Sequence, residues 1–388
     1  VTDRFPRFPI ESPPWISPRA AYVHIPFCAH HCGYCDFAVV TGLDHRIDAY
    51  LDALADELAT LNDPRPVDSI FLGGGTPSHL DPRQIDRLLN DIRRWLPARA
   101  GAECTIEVNP ESFDRVKARL LASAGWTRVS IGVQSFRPET LHILERTHEP
   151  RQVSPAIEAA RAAGAAVCLD LIFGVPGQSL ADWRTDLRQA LEFEPDHVSV
   201  YGLTFEKGTR LWKQRHRGSL SQLDEQTELE MYRLAIDTLE SSGLAAYEIS
   251  NFARPGAASR HNQVYWANHA FFGFGMGAAS YLGGTRTLNV RNLPEYVQRC
   301  RAGRSPVFQS ETLAPEDRAR ETMALNLRRV SGLNRHEFRE QTGFDVDALA
   351  KVAIERLSNS GLMTDDGVTV RLTRSGRYVA DSIVAEIL

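Results

Sequence analysis

The chain has 388 residues, which is long for one hydrophobic core and suggests a large domain with a smaller companion. Its hydrophobic content of 43% and charged content of 24% are those of an ordinary soluble globular protein. A net charge of −5 argues against a nucleic-acid partner, whose electrostatic footprint needs a basic stripe. Six cysteines do not form a disulfide framework, because three of them crowd into one loop. Cys104, Cys168 and Cys300 are scattered and read as buried reduced thiols, which points to a reducing compartment. Residues 1–18 are polar and proline-rich with no apolar h-region, so they read as a tail and not as a targeting segment. The longest apolar stretch, around 270–281, is glycine-rich and too short for a transmembrane segment. The expected location is cytoplasmic.

In chain order, a short apolar strand over 21–25 leads into the cysteine loop, and leucines and alanines at helical spacing follow over 46–61. A second strand at 67–72 ends in Gly73-Gly-Gly-Thr-Pro-Ser. Asp81 and Pro82 then read as a helix N-cap and first-turn proline, with Ile85, Leu88, Leu89, Ile92 and Leu96 on one face. Strand 105–108 precedes helix 113–124, and strand 128–133 ends at Gln134. Two helices at 138–147 and 153–163 lead to strand 166–173 and its Gly174-Val-Pro-Gly-Gln turn. Helix 180–191, strand 197–203 and a long amphipathic helix over 222–242 complete the repeat. Six strands separated by helices predict right-handed βα units around a parallel sheet, with ligands where strands give way to loops. Residues 254–284 break the pattern, and helices are expected from about 311 to 327, over 334–340 and over 346–358. An Asp-Asp-Gly between two alternating runs predicts a β-hairpin at 361–373, and hence a small winged-helix-like unit that serves as a substrate cover or docking surface.

The chemistry concentrates in Cys28-Ala-His-His-Cys32-Gly-Tyr-Cys35. Soft thiolates select zinc, copper(I) or iron–sulfur clusters. His24, His30 and His31 lie near enough in sequence to complete a Cys3His zinc site, while a [4Fe–4S] cluster held by three cysteines leaves one iron open to a small molecule. The three glycines after the second strand allow backbone to approach a ligand closely, but no Gly-Lys-Ser/Thr follows to make a phosphate-binding loop.

Cys-x3-Cys-x2-Cys with Tyr34 before the last cysteine resembles the radical S-adenosylmethionine (SAM) superfamily. The flanking His-Ile-Pro-Phe-Cys and Cys-Asp-Phe resemble the branch of oxygen-independent coproporphyrinogen III dehydrogenase and the haem chaperones of the HemW type. The resemblance runs from about Tyr22 to the C-terminus. It implies an α/β fold, a partial (β/α)6 TIM-type barrel with a small C-terminal winged-helix-like α+β domain. The corresponding divisions are 1–20 (tail), 21–250 (barrel), 251–310 (connecting segment) and 311–388 (C-terminal domain).

The resemblance further implies that Cys28, Cys32 and Cys35 hold a [4Fe–4S] cluster whose open iron chelates SAM, and that electron transfer cleaves SAM to a 5′-deoxyadenosyl radical. Tyr22, Gly74, Gly75, Thr76 and Glu107 match positions lining that SAM, and Tyr34, Gln134, Arg146 and Asp170 match contacts to a second one. A carboxylate suits ribose hydroxyls or an ammonium, and a guanidinium suits a carboxylate. Glu107 and Asp170 are also the kind of residue that caps a helix or pairs inside a barrel, and helical arginines such as Arg146 are usually solvated. Two departures separate the chain from the dehydrogenase: Phe37 stands where that enzyme has a fourth cysteine, and only about twenty residues precede the first strand. Conversely, His261-Asn-Gln-Val-Tyr265-Trp266 resembles the His-Asn-x-x-Tyr-Trp motif of the haem chaperones, and implies His261 as an axial ligand to haem. A polar-aromatic cluster joining barrel to C-terminal domain is its other reading. The resemblance favours a haem chaperone delivering haem to respiratory haemoproteins and drawing electrons from a flavodoxin or ferredoxin. The dehydrogenase, converting coproporphyrinogen III to protoporphyrinogen IX, is the alternative, and enzymatic cleavage of SAM is left open.

Overall fold

A computed structural model describes residues 12–388, so most of the expected tail lies outside the described residues. Strands β1 (Ala20–Ile25), β2 (Val67–Gly74), β3 (Ala98–Val108), β4 (Arg128–Gln134), β5 (Ala166–Phe173) and β6 (His197–Gly202) lie side by side in chain order, every pair parallel. Between them run α1 (Ile47–Ala59), α2 (Pro82–Trp95), α3 (Arg115–Ser123), α4 (Pro138–Ile143), α5 (Val153–Ala162) and α6 (Leu180–Glu192), followed by α7 (Arg210–His216) and α8 (Glu225–Ser241). Asp81 caps α2 as expected: its side chain accepts from the Gln84 N–H, and the Gln84 side chain returns a bond to Asp81.

Alternation along the strands explains how the sheet becomes a container. One set of side chains, including Val23, Leu72, Ile106, Ile131, Leu169 and Val200, joins the helices in a single buried core. The opposite set points into the bore and is largely polar: Tyr22 and His24 on β1, Thr105 and Glu107 on β3, Ser130 on β4, Asp170 on β5, Ser199 on β6. A barrel filled by branched apolar residues has no room for a ligand, whereas this one keeps its interior for hydrogen bonding.

The sheet does not end at six strands. β7 (Ala245–Ala246) and β8 (Asn251–Ala253) extend it antiparallel beyond β6. On the other side β9 (Phe271–Phe274) pairs parallel with β1, and β10 (Ala279–Leu282), β11 (Thr285–Asn289) and β12 (Val307–Thr312) continue antiparallel. Among the described residues, twelve strands form one sheet whose two ends, β12 and β7, do not pair with each other. The stretch 251–310, expected as a connection, thus supplies several strands of the main sheet. The helix expected from residue 311 is also corrected. Residues Val307–Thr312 are extended, and the helix α11 (Pro315–Leu327) starts at the proline, where fixed φ and a missing N–H suit a first turn.

Between β8 and β9, α9 (Arg260–Trp266) packs against β2. Its entry is fixed by Glu103, which accepts from the Ser259 hydroxyl and from the backbone N–H groups of Arg260 and His261. Arg128 reinforces it by donating to the Ala257 carbonyl at 2.7 Å. Beyond α10 (Leu293–Arg301) and α11, a second core forms around α12 (Arg335–Thr342), α13 (Val346–Asn359) and α15 (Ala380–Ile387). There the expected hairpin appears as β14 (Met363–Asp365) and β15 (Thr369–Leu372), with β13 (Leu333–Asn334) beside β15. The short helix α14 (Arg374–Tyr378) follows it.

Candidate functional site

A cavity of about 870 Å³ opens where the strands of the barrel end, beneath the last helices of the C-terminal segment. Cys28, Cys32, Tyr34, Cys35, Gly74, Gly75, Thr76, Glu107, Gln134, Arg146 and Asp170 all line it. Eleven residues expected at the site from five separate βα units are therefore brought together.

Cys28 sits on a two-residue strand, Phe27–Cys28, that pairs with Val40–Thr41 and so ties down both ends of the cysteine loop. The glycine turn is fitted against it. Gly75 and Thr76 donate backbone N–H groups to the Ile25 and Phe27 carbonyls at 2.8 and 2.9 Å, and the Thr76 hydroxyl donates to Cys28 Sγ at 3.4 Å. Gly74 has a φ of +112°, and a side chain there would meet the His24 ring at 2.4 Å. With its carbon absent, the Gly74 N–H reaches Glu107 Oε2 at 3.0 Å. Asn109, which sequence reasoning passed over, links the two halves: it donates to Thr76 Oγ1 at 3.2 Å and accepts from Arg146 at 2.8 Å. Its only sequence signal is its place directly after β3.

Arg146 is not a solvated helical arginine. The helix expected to 147 ends at Ile143, because Glu145 adopts a left-handed φ of +55° and the Arg146 N–H folds back onto the Leu141 carbonyl. The side chain then turns inward, donating to Gly132 O at 2.9 Å, to Asn109 and to Cys32 Sγ at 3.5 Å. Across the bore, burial raises the Asp170 carboxyl above its usual range against bonds from Ser199 and Ser130, the latter at 3.1 Å. Burial, aided by the negative charge of Asp170, pushes Glu107 up to about 8. A ligand bearing positive charge is what this pair of carboxyl groups is built to receive.

Burial also pushes the Cys28 thiol up to about 11 and the Cys35 thiol up to about 12, so their thiolates need an electron-poor metal to offset desolvation. The three nearby histidines are engaged elsewhere. His24 Nε2 faces the Ala38 carbonyl at 2.9 Å and must carry the proton, leaving Nδ1 to accept from the Tyr22 hydroxyl at 2.9 Å. His31 donates to the Cys35 carbonyl and His30 lies against Arg210. Among the described residues no three such donors converge as a single metal ion requires. The donor set fits a cluster, in which each cysteine takes its own iron, better than a Cys3His zinc site.

Two expected residues stand apart from the cavity. Tyr22 lies lower in the bore, bonded to His24 and stacked on Phe71 at 6.2 Å. His261 is fully buried at the first turn of α9, with Nδ1 3.0 Å from the Ser69 hydroxyl and Nε2 2.8 Å from the Tyr265 hydroxyl. Its ring lies 5.2 Å from Phe71, and burial lowers it to about 3, so it is neutral. Neither nitrogen is presented to a ligand. Sequence reasoning identified the motif as aromatic and polar, but not that its members bond to one another.

Residues 22–190 match the radical SAM superfamily model and residues 313–379 the HemN C-terminal domain model. The protein named heme chaperone HemW of Bacillus subtilis is 35% identical over 95% of this chain and 99% of its own length. The chain belongs to the HemW family within the radical SAM superfamily. A heme chaperone HemW of Mycobacterium tuberculosis is likewise 35% identical, over 96% of this chain and 95% of that protein. A Bos taurus relative, named radical S-adenosyl methionine domain-containing protein 1, mitochondrial, is 32% identical over 97% of this chain and 89% of its own. The solved structure of Escherichia coli HemN, a coproporphyrinogen III oxidase and radical SAM enzyme, superposes with a TM-score of 0.84 at 26% identity, covering 96% of this chain and 90% of that one. The superfamily implies a [4Fe–4S] cluster and SAM. Among the described residues no helix is long and apolar enough to cross a membrane.

Proposed function

We propose that this chain is a haem chaperone: it holds a [4Fe–4S] cluster through Cys28, Cys32 and Cys35, binds SAM beside it, and carries haem for transfer to respiratory haemoproteins. The observation that carries the reading is the convergence of eleven expected residues on one cavity in a chain whose relatives are named HemW. When bound, the cluster supplies an iron without a protein ligand and a one-electron couple. Glu107 and Asp170 would face the cationic groups of SAM, the Gly74–Thr76 turn would bring backbone against its amino acid portion, and Arg146 would keep Cys32 electrostatically balanced. Phe37 supports carriage over porphyrinogen oxidation: it stands in place of a fourth cysteine, and it is 64% exposed at the cavity edge. An apolar ring so exposed suits contact with a flat, greasy ligand or with a protein that receives one.

The likeness to coproporphyrinogen III oxidase favours a second reading, oxidative decarboxylation of a porphyrinogen. One experiment separates the two. The cluster is reconstituted without oxygen, SAM and coproporphyrinogen III are added, and product is sought by chromatography while haem is titrated in a parallel sample. Stable haem binding without vinyl product is expected. Turnover to protoporphyrinogen would replace the chaperone reading with the enzymatic one.

A further inference from the structure

Three guanidinium groups reach the cavity, Arg146 from the barrel and Arg328 and Arg377 from the C-terminal segment. Two of them are occupied. Arg146 bonds to Asn109, Gly132 and Cys32, and Arg328 lies 5.8 Å from the Trp266 ring while pairing with Asp381 at 2.5 Å. Arg377 differs. Its Nη1 is buried and, among the described residues, has no hydrogen-bond partner. An unmet charged donor under cover is costly, and its natural partner is an anion that enters the cavity.

Arg377 is held in place from both sides. Thr373 caps α14 by accepting from the Gly376 N–H at 3.1 Å, and Gly376 lies so close to strand and loop that a side chain would fall 1.9 Å from the Leu362 carbonyl. Arg374 pairs with Asp237 on α8, and Arg233 of the same helix lies 5.0 Å over the Tyr378 ring. Tyr378 meets Tyr232 edge-on at 5.9 Å, and Tyr232 stacks on Phe173 at the end of β5. The wall beside Arg377 is therefore aromatic and continuous with the barrel, while its Nη1 has no hydrogen-bond partner among the described residues.

An aromatic wall ending in a guanidinium with an unmet donor fits a flat hydrophobic body with a carboxylate arm. We propose that Arg377 is the carboxylate anchor of the cavity and pairs with a propionate of the bound tetrapyrrole. This assignment rests on the reading of the cavity as a haem carrier. The carboxylate of SAM has the same chemistry, and the test tells the two apart.

Haem and its dimethyl ester are titrated into the full chain, into Arg377→Gln and into Arg377→Lys, with SAM titrated in parallel. The wild type is expected to bind haem at least about tenfold more tightly than the ester, the span of one charge-assisted bidentate contact. Arg377→Gln should lose that preference and bind the ester as the wild type does, and Arg377→Lys should recover part of it. The preference is a ratio within one variant, so a partly unfolded sample does not alter it. An Arg377→Gln protein that keeps the full preference overturns the proposal and leaves haem carriage standing. A variant impaired for SAM and not for haem overturns it by giving Arg377 to SAM. A wild type that binds neither tetrapyrrole overturns the proposal together with the carrier reading.

Discussion

At the scale of single residues, the carboxyl of Glu107 is the most consequential titrating group in the bore. Its folded pKa of about 8 stands above the ordinary value near 4.5, chiefly through burial and then through the charge of Asp170. A raised folded pKa gives a contribution that is fully present below the unfolded value and is lost as pH rises through the folded one. Wild-type stability is therefore expected to decline between about pH 4.5 and pH 8 relative to Glu107→Gln, which keeps an acceptor for the Gly74 N–H and removes the charge. Thermal melts across that range check this, and the same variant is expected to bind SAM more weakly. His261 belongs at the opposite end of the argument. Replacing it with alanine leaves Ser69 and Tyr265 without their shared partner, and is expected to cost about 1–3 kcal/mol in urea unfolding while haem affinity stays unchanged. The sequence announced the ligand types in both cases, since carboxylates and imidazoles are visible as letters. It did not announce the partners, because Ser69 and His261 are 192 residues apart. The inward turn of Arg146 was hidden for a different reason: a left-handed Glu145 follows the early end of its helix, and that conformation carries no signature when the residue is not glycine or asparagine.

Elements show the same division. The six parallel strands and their helices were legible from periodicity, because every strand carries an apolar side against the helices and all but β4 give way to glycine, asparagine or proline at the C-terminal end. The additional strands β9 to β12 were not. Phe271-Phe-Gly-Phe-Gly-Met-Gly is glycine-rich and lies where the βα pattern breaks, yet Gly273 is inside β9, where it donates its N–H to the Ser280 side chain at 2.8 Å. β12 lacks the alternation that identifies a strand because nearly all of its side chains are exposed at a sheet edge. For the turn after β2 the element-level prediction is sharp. Gly74→Ala forces a side chain to a φ of +112° and drives it into the His24 ring, which is expected to cost about 2 kcal/mol or more. Because His24 also holds Ala38 behind the cysteine loop, the iron content of the anaerobically purified variant should fall along with its unfolding midpoint.

On the scale of the whole molecule, the C-terminal segment was recognisable by its hairpin and expected as a substrate cover or docking surface, but which of its residues reach the cavity was not legible, since contacts between distant segments leave no local pattern. The link between Arg374 and Asp237 joins the two regions through exposed side chains, 44% and 61% accessible. Pairs of that kind contribute little to global stability. Arg374→Ala is accordingly expected to leave the melting temperature within about 2 °C of wild type. Hydrogen exchange over residues 373–379 should nevertheless quicken, because the tether and not the core of that region is lost.

The unjoined margins of the twelve-stranded sheet carry a consequence for traffic. A closed cylinder admits guests only along its axis, through a rim whose calibre is set by strand number. A coiled ribbon with loose margins can instead be approached edgewise, and its aperture widens or narrows with the coiling of the whole ribbon. Substitutions remote from the lining, at the contacts of outer helices that set this coiling, would then govern how quickly a broad planar guest enters and departs without altering how firmly it is gripped.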